Sequence, residues 1–195
     1  MKEMQSAPAL RRWSRQEYER MITKGLIHSG DRVELIDGEI WTMAAHGSAH
    51  FAAIYAAQKA LEAVFGSGYQ VRVQGPIALD DWSEPEPDVA VVAGSFRDYV
   101  KDHPGRALLV VEVADSTLST DRNRKGSLYA RGGVQDYWIV NLSKRILEIY
   151  REPVEDPRSR YYGWKYRLVQ RCGPEEYVSP LAMPKARIKV GDLLP

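Results

Sequence analysis

Three charged residues stand where they could handle a divalent cation and a phosphate. Glu84-Pro85-Glu86-Pro87-Asp88 leads directly into the apolar run Val89-Ala90-Val91-Val92. Glu112 follows inside Leu108-Leu109-Val110-Val111-Glu112-Val113, and Lys125 lies in Asp121-Arg122-Asn123-Arg124-Lys125-Gly126. An ionised carboxylate among apolar residues is costly unless it is paired or bound to a cation. Asp88 opens a neighbouring predicted strand. Two carboxylates on adjacent strands can share Mg²⁺ (or Mn²⁺), a hard cation that favours oxygen ligands. Such an ion polarises a phosphodiester and acidifies a water. A lysine close by can stabilise the charge growing on the phosphate or help position the water. A plainer reading stands beside this one. A carboxylate at the end of a buried strand can pair with a helical arginine, here Arg122 or Arg124, and Pro-Asp can be only a turn.

Other residues carry weaker signals. Glu34 is either a third carboxylate at the site or a solvent-facing hairpin charge, since Val33 and Leu35 take the opposite face of a strand. Asp37 and Glu39 read as turn and surface residues. His46 and His50 are four apart and can share a helical face, but the glutamate of a His-Glu-x-x-His zinc motif is missing. Ser116, Thr117, Ser119 and Thr120 are expected to shape a loop and cap the next helix, with Asp121 an alternative cap. Arg122, Arg124 and Arg131 are candidates for phosphate contact or for ordinary solvated positions. Tyr137 and Trp138 read as core. Tyr161, Tyr162, Trp164 and Tyr166 read as strand packing, with a partner surface as the alternative. No Gly-x-Ser-x-Gly elbow and no phosphate-binding glycine loop followed by Lys-Ser/Thr is present.

The remaining composition is ordinary. The 195 residues suit a single domain, residues 1–195, with a substantial core. Net charge is +1, so a nucleic-acid partner needs a local basic surface rather than a polycationic chain. The one cysteine, Cys172, can form neither an internal disulfide nor a multi-cysteine zinc site. No secretory h-region and no membrane-length apolar run is visible, so a cytoplasmic protein is expected. A homodimer is the prior among soluble oligomers.

These residues need elements to hold them. Met1–Leu10 reads as a loose start. Ser14-Arg15-Gln16-Glu17 is a capping box opening a helix that Gly25 ends. Arg32–Trp41 reads as a hairpin about Asp37-Gly38, a pair suited to a type I′ turn. Ser48 to about Phe65 reads as a helix burying Phe51, Ile54, Tyr55, Leu61 and Phe65 on one face. Strands are expected at Tyr69–Val73, Ile77–Leu79, Asp88–Val92 and Ala107–Val113, the last apolar enough to be covered on both faces. Asp121–Arg131 reads as a helix, and Asp136–Asn141 with Ile146–Arg151 as a hairpin. A proline- and charge-rich loop, Glu152–Arg160, precedes a late strand at about Tyr161–Val169 and a tail. The sum is a mixed α/β domain about a central sheet.

Several of these stretches together resemble a large bacterial family of restriction-endonuclease-like proteins. They are Pro87–Val92, Leu109–Thr117, Asp121 with Lys125, Leu128–Ala130, Gly133–Val140 and, upstream, Glu34–Ile40 before a histidine-bearing helix. The resemblance covers roughly Arg12 to Arg151. It implies a PD-(D/E)XK nuclease fold: a central mixed sheet flanked by helices, here with an N-terminal helix and hairpin. It also implies a metal-dependent endonuclease acting on DNA. In that pattern Asp88 is the Asp of the Pro-Asp motif and Glu112 the second acidic residue, both binding the metal, with the Val113 carbonyl as a further oxygen. The lysine two positions after Glu112 is replaced by Ala114, so the resemblance points to Lys125 on the following helix. It also favours Glu34 in the site and His50 at its border. The missing lysine and the near-zero net charge support an alternative: a nuclease-like module that binds nucleic acid or protein without cleaving.

Overall fold

The computed structural model describes residues 10–28, 30–43 and 46–195. Of the expected loose start, Met1 to Ala9 lie outside the described residues. Helix α1 (Arg15–Thr23) opens on the expected capping box: Glu17 N–H donates to the Ser14 hydroxyl, and the Ser14 N–H donates to Glu17 Oε2 at 3.0 Å. Strands β1 (Val33–Ile36) and β2 (Glu39–Thr42) form the hairpin. Asp37 and Gly38 both have positive φ, 50° and 83°, as a type I′ turn requires.

Helix α2 (Ser48–Val64) buries His50, Ala53, Ile54, Ala57 and Leu61. Phe51 and Tyr55, expected on this face, are exposed instead. The helix is rotated so that its small alanines meet the sheet, because Ala53 and Ala57 permit a closer approach than two aromatic rings would.

The central sheet has six strands: β3 (Tyr69–Val73), β4 (Val89–Ala93), β5 (Leu109–Ala114), β6 (Asp136–Asn141), β7 (Ile146–Glu155) and β8 (Trp164–Cys172). They lie in sequence order, and all neighbours are antiparallel except β5 and β6. The parallel pair needs a crossover, supplied by α3 (Leu118–Thr120), a π-helical turn (Asp121–Lys125) and α4 (Gly126–Arg131) head to tail. The helix therefore starts before the expected Asp121.

Alternate residues of β4 and β5 feed two cores. Val89, Val91, Val111 and Val113 pack with α2 and the C-terminal segment, whereas Ala90, Val92, Val110 and Ala114 pack with α4. The C-terminal segment adds a small pair, β9 (Tyr177–Val178) and β10 (Ile188–Lys189).

Two strand assignments change. Ile77 and Leu79 are buried, but their amides bond to the Pro85 and Ser83 carbonyls of a loop rather than to a strand ladder. Strand β7 continues through the proline-rich stretch to Glu155, and Pro153 pairs with Tyr166. Proline is tolerated there because β6 ends opposite Arg151, leaving that part of β7 with one neighbour.

One buried ion pair fixes the crossover to the sheet. Arg122 Nε donates to Glu148 Oε2 at 2.9 Å, and its Nη2 donates to Oε1. Asn141 and the Tyr150 hydroxyl also donate to this fully buried carboxylate. Burial alone would push the Glu148 carboxyl up, but these donors bring it down to about 2. We expect Arg122→Ala to lower the unfolding free energy at pH 7 by about 3–5 kcal/mol, because it leaves a buried charge unpaired. A depressed carboxyl stabilises the fold above its unfolded value near 4.5 and loses this as pH falls toward about 2. Urea unfolding should therefore show the gap between variant and parent shrinking below pH 4.5; a gap independent of pH would assign the loss to packing.

Candidate active site

Strand register brings the two sequence-selected acids together. Val89 pairs with Val111 and Ala90 with Val110, so one further step sets Asp88 opposite Glu112. The Asp88 N–H donates to Glu112 Oε2 at 3.4 Å, and the Val113 N–H donates to Asp88 Oδ2 at 2.8 Å. Asp88 is thus tied through its amide to the Glu112 side chain and through its carboxylate to the next amide of β5.

Lys125 reaches the same place from the π turn. Its Nζ donates to Glu112 Oε1 at 3.0 Å and lies 3.2 Å from Glu34 Oε1. The Tyr129 hydroxyl, one turn further on, donates to Glu112 Oε1 at 2.7 Å. Glu34 on β1 also accepts from the Glu86 N–H at 3.1 Å. Glu34 is therefore buried in the site rather than solvent-facing, because the hairpin folds over the sheet instead of standing free. Neither Arg122 nor Arg124 is the partner of Glu112.

The π turn explains how one short segment delivers two charged groups. The Gly126 N–H donates back to the Asp121 carbonyl, and the Tyr137 hydroxyl donates to the same oxygen at 3.0 Å. A side chain at position 126 would bring its Cβ within 3.3 Å of that carbonyl, so glycine permits the tight closure. Asp121 is inside this turn and not its cap. Its carboxylate accepts from the Thr117 hydroxyl at 2.6 Å and lines the same cavity as Lys125. Such single π turns recur at functional sites.

On the other side is the N-terminal end of α2. The His50 Nε2 lies 3.2 Å from Asp88 Oδ1, and the His46 and His50 rings stack at 3.9 Å. The His46 Nδ1 contacts Gln74 Nε2 at 3.1 Å. Gln74 has φ 46°, uncommon for a residue with a side chain, and its N–H is spent on the Asp88 carbonyl. One ligand atom each from His46, His50 and Asp88 lie within 4.8 Å of one another. Histidines that lack a zinc motif in sequence thus gain a carboxylate partner from a distant strand.

The acids, Lys125, Gln74 and the two histidines surround one cavity of about 190 Å³. Its lining includes five carboxyl groups (Glu34, Glu86, Asp88, Glu112 and Asp121) and one ammonium, Lys125. Burial pushes the Glu112 carboxyl up to about 8 against the opposing pull of Lys125, and pushes Asp121 up to about 6. Burial also works against the Asp88 carboxylate, but the His50 hydrogen bond, the His50 charge, the Val113 amide and Lys125 hold it below the usual range. Burial opposes the Lys125 charge, and the surrounding Glu112, Glu34 and Asp121 overcome this and keep it protonated. The cavity is short of positive charge, which is the setting for a bound cation. Carboxylate oxygens from Asp88 and Glu112 fit a hard divalent ion, and imidazole nitrogens beside Asp88 extend the donor set toward a borderline one.

The structure brings the sequence-selected Asp88, Glu112, Val113, Lys125, Glu34 and His50 into one neighbourhood. Glu86, Gln74 and Asp121 also join it, and none of the three is selected from the sequence as a member. For Asp121 a signal existed: it precedes Lys125 by four positions, which stacks both on one side of a helical turn. Two expected phosphate ligands are occupied elsewhere. Arg122 binds Glu148, and Arg131 binds Asp37 and Asp80 at 2.7 and 2.9 Å.

Residues 15–191 match the Uma2 family model, described as "Putative restriction endonuclease". No functionally curated protein matches the sequence. Among solved structures, a protein from Anabaena variabilis, titled a "putative nuclease belonging to DUF820", has the same fold with a TM-score of 0.66. The two are 14% identical, over 91% of this chain and 95% of that one.

We expect Lys125→Met to lower the unfolding free energy in EDTA by about 3–5 kcal/mol, since Glu112 and Glu34 would lose their shared buried cation. Chemical unfolding of parent and variant measures this. Equal stabilities would mean that the lysine does not neutralise the site.

Proposed function

The chain belongs to the Uma2 family, and from that membership we propose that it is a metal-dependent endonuclease hydrolysing DNA phosphodiester bonds. The observation that carries the proposal is the meeting of Asp88, Glu112 and Lys125 in a cavity where carboxyl groups outnumber ammonium groups five to one. Asp88 and Glu112 would hold Mg²⁺ or Mn²⁺, with the Val113 carbonyl as a further oxygen. When bound, the ion supplies Lewis-acid polarisation of the phosphodiester and a more acidic water.

The chain's own groups do the rest. Lys125 stays protonated, so it acts as a donor to the phosphate and not as a base. It stands in for the lysine absent at Ala114 by approaching Glu112 from the crossover. Glu34 shares the Lys125 ammonium and keeps it from settling wholly on Glu112. Tyr129 fixes one Glu112 oxygen, and His50 fixes one Asp88 oxygen. These contacts orient the two carboxylates for a cation.

Purified protein should nick plasmid DNA with Mg²⁺ or Mn²⁺ and not in EDTA. Asp88→Ala and Glu112→Ala should each abolish this, and Lys125→Ala should cost about 10²–10³-fold in rate. His50→Ala should cost about 10–100-fold. Cleavage that survives both carboxylate substitutions would overturn the assignment. Failure to cleave with any divalent ion, alongside intact folding, would favour the non-cleaving module.

The ion should also stabilise the fold. At 100 times its dissociation constant it adds about 2.7 kcal/mol. Thermal unfolding with and without Mn²⁺ reads this directly, and Asp88→Ala should remove the shift.

A further inference from the structure

The three arginines of residues 118–131 have different surroundings. Arg122 and Arg131 are held by acids, as described above. Among the described residues Arg124 has only Glu39, a half-exposed carboxylate, as an acidic partner, at 3.9 Å. Its guanidinium instead lies between two rings, 4.7 Å from the centroid of Trp41 and 5.3 Å from that of Tyr161. A guanidinium stacked on aromatic faces is fixed in orientation while its N–H edge stays available to a planar or phosphate anion.

Those two rings belong to different cavities. Trp41 lines the acidic cavity. Tyr161 lines a second cavity of about 440 Å³ between the crossover and the Ser159–Val169 stretch, a volume in the range of small-ligand sites. Arg124 lines neither cavity and stacks against one ring of each. The second cavity is opposite in character: its lining includes Arg122, Arg160 and Lys165 and, among the described residues, no carboxylate. Arg122 is committed to Glu148, and Lys165 to Asp156 at 2.8 Å. Arg160 has no acidic partner among the described residues, and its guanidinium lies 5.8 Å from the same Tyr161 ring. Ser119 and Asn123 add polar groups on the crossover side.

We propose that this second cavity seats the nucleic-acid strand next to the scissile phosphodiester, with Arg124 and Arg160 contacting backbone phosphates and Tyr161 stacking against a base. The proposal rests on the nuclease reading of the acidic cavity. An acidic cavity repels a polyanion, so the strand needs a positive flank to hold it in reach. Base stacking on an aromatic ring is tolerant of sequence.

The test measures binding apart from cleavage. Anisotropy of a fluorescein-labelled single-stranded DNA oligonucleotide is followed in Ca²⁺ buffer across a salt series. Arg124→Ala and Arg160→Ala should each weaken binding about 10-fold and flatten the salt slope by about 0.7, the share of one phosphate contact on a single strand. Tyr161→Ala should weaken binding about 5–100-fold without changing that slope. Lys185→Ala, beside α2 on the opposite face of the sheet, should bind like the parent. Circular dichroism and urea midpoints confirm that each variant folds. Parent-like binding and slope in both arginine variants would overturn the proposal, as would a parent that binds no DNA. Binding that depends on Arg124 and Arg160 in a protein that never cleaves would retain this site and reject the nuclease reading. Asp88-dependent cleavage with binding indifferent to both arginines would do the reverse.

Discussion

The contact on which the rest depends is the buried ammonium of Lys125 between Glu112 and Glu34. It joins the central strand β5, the N-terminal hairpin and the crossover in one place. A lone buried charge of either sign would be costly, so each of these elements is held by the need to satisfy the other two. The ammonium also leaves the account unbalanced. It does not balance the five carboxyl groups around the cavity, and those carboxyls are what the proposed cation would meet.

The fold serves this arrangement by register and by one irregularity. Antiparallel pairing of β4 with β5 sets Asp88 opposite Glu112, and the alternation of strand faces sends the neighbouring valines and alanines into two cores. The irregularity is the π turn at Asp121–Lys125. It aims Asp121 and Lys125 into the cavity while Arg122 turns to Glu148 and Arg124 to the aromatic pair. One short segment therefore anchors itself, arms one cavity and borders the other. The Asp121 carbonyl displaced by the turn accepts from the Gly126 N–H and the Tyr137 hydroxyl, so it is not left orphaned.

Much of this was legible in the residues. The capping box at Ser14, the Asp37-Gly38 turn and the strands bearing Asp88 and Glu112 have local causes, and all appear. The misses share a different cause. Phe51 and Tyr55 suit a buried helix face, but which face of α2 meets the sheet is decided by how closely Ala53 and Ala57 let it approach. Ile77 and Leu79 are buried as an apolar stretch should be, yet their backbone partners come from a loop. Glu34 is not among these misses: its residues alone suit solvent and site nearly alike, because a hairpin's pattern does not say what packs on it, and the family resemblance favours the site.

By itself, the sequence determined the residue types available for chemistry and their positions on strands, since burial of a carboxylate in an apolar run and the period of the chain are local facts. It also showed that the lysine is absent at Ala114. Only the tertiary structure decided that Lys125 meets Glu112 and Glu34 together, that Asp121 and Glu86 join the cavity, and that His46 and His50 meet Asp88. Those are contacts between segments far apart in the chain. Their distances depend on packing and on the π turn, neither of which leaves a spacing that can be read along a single strand or helix.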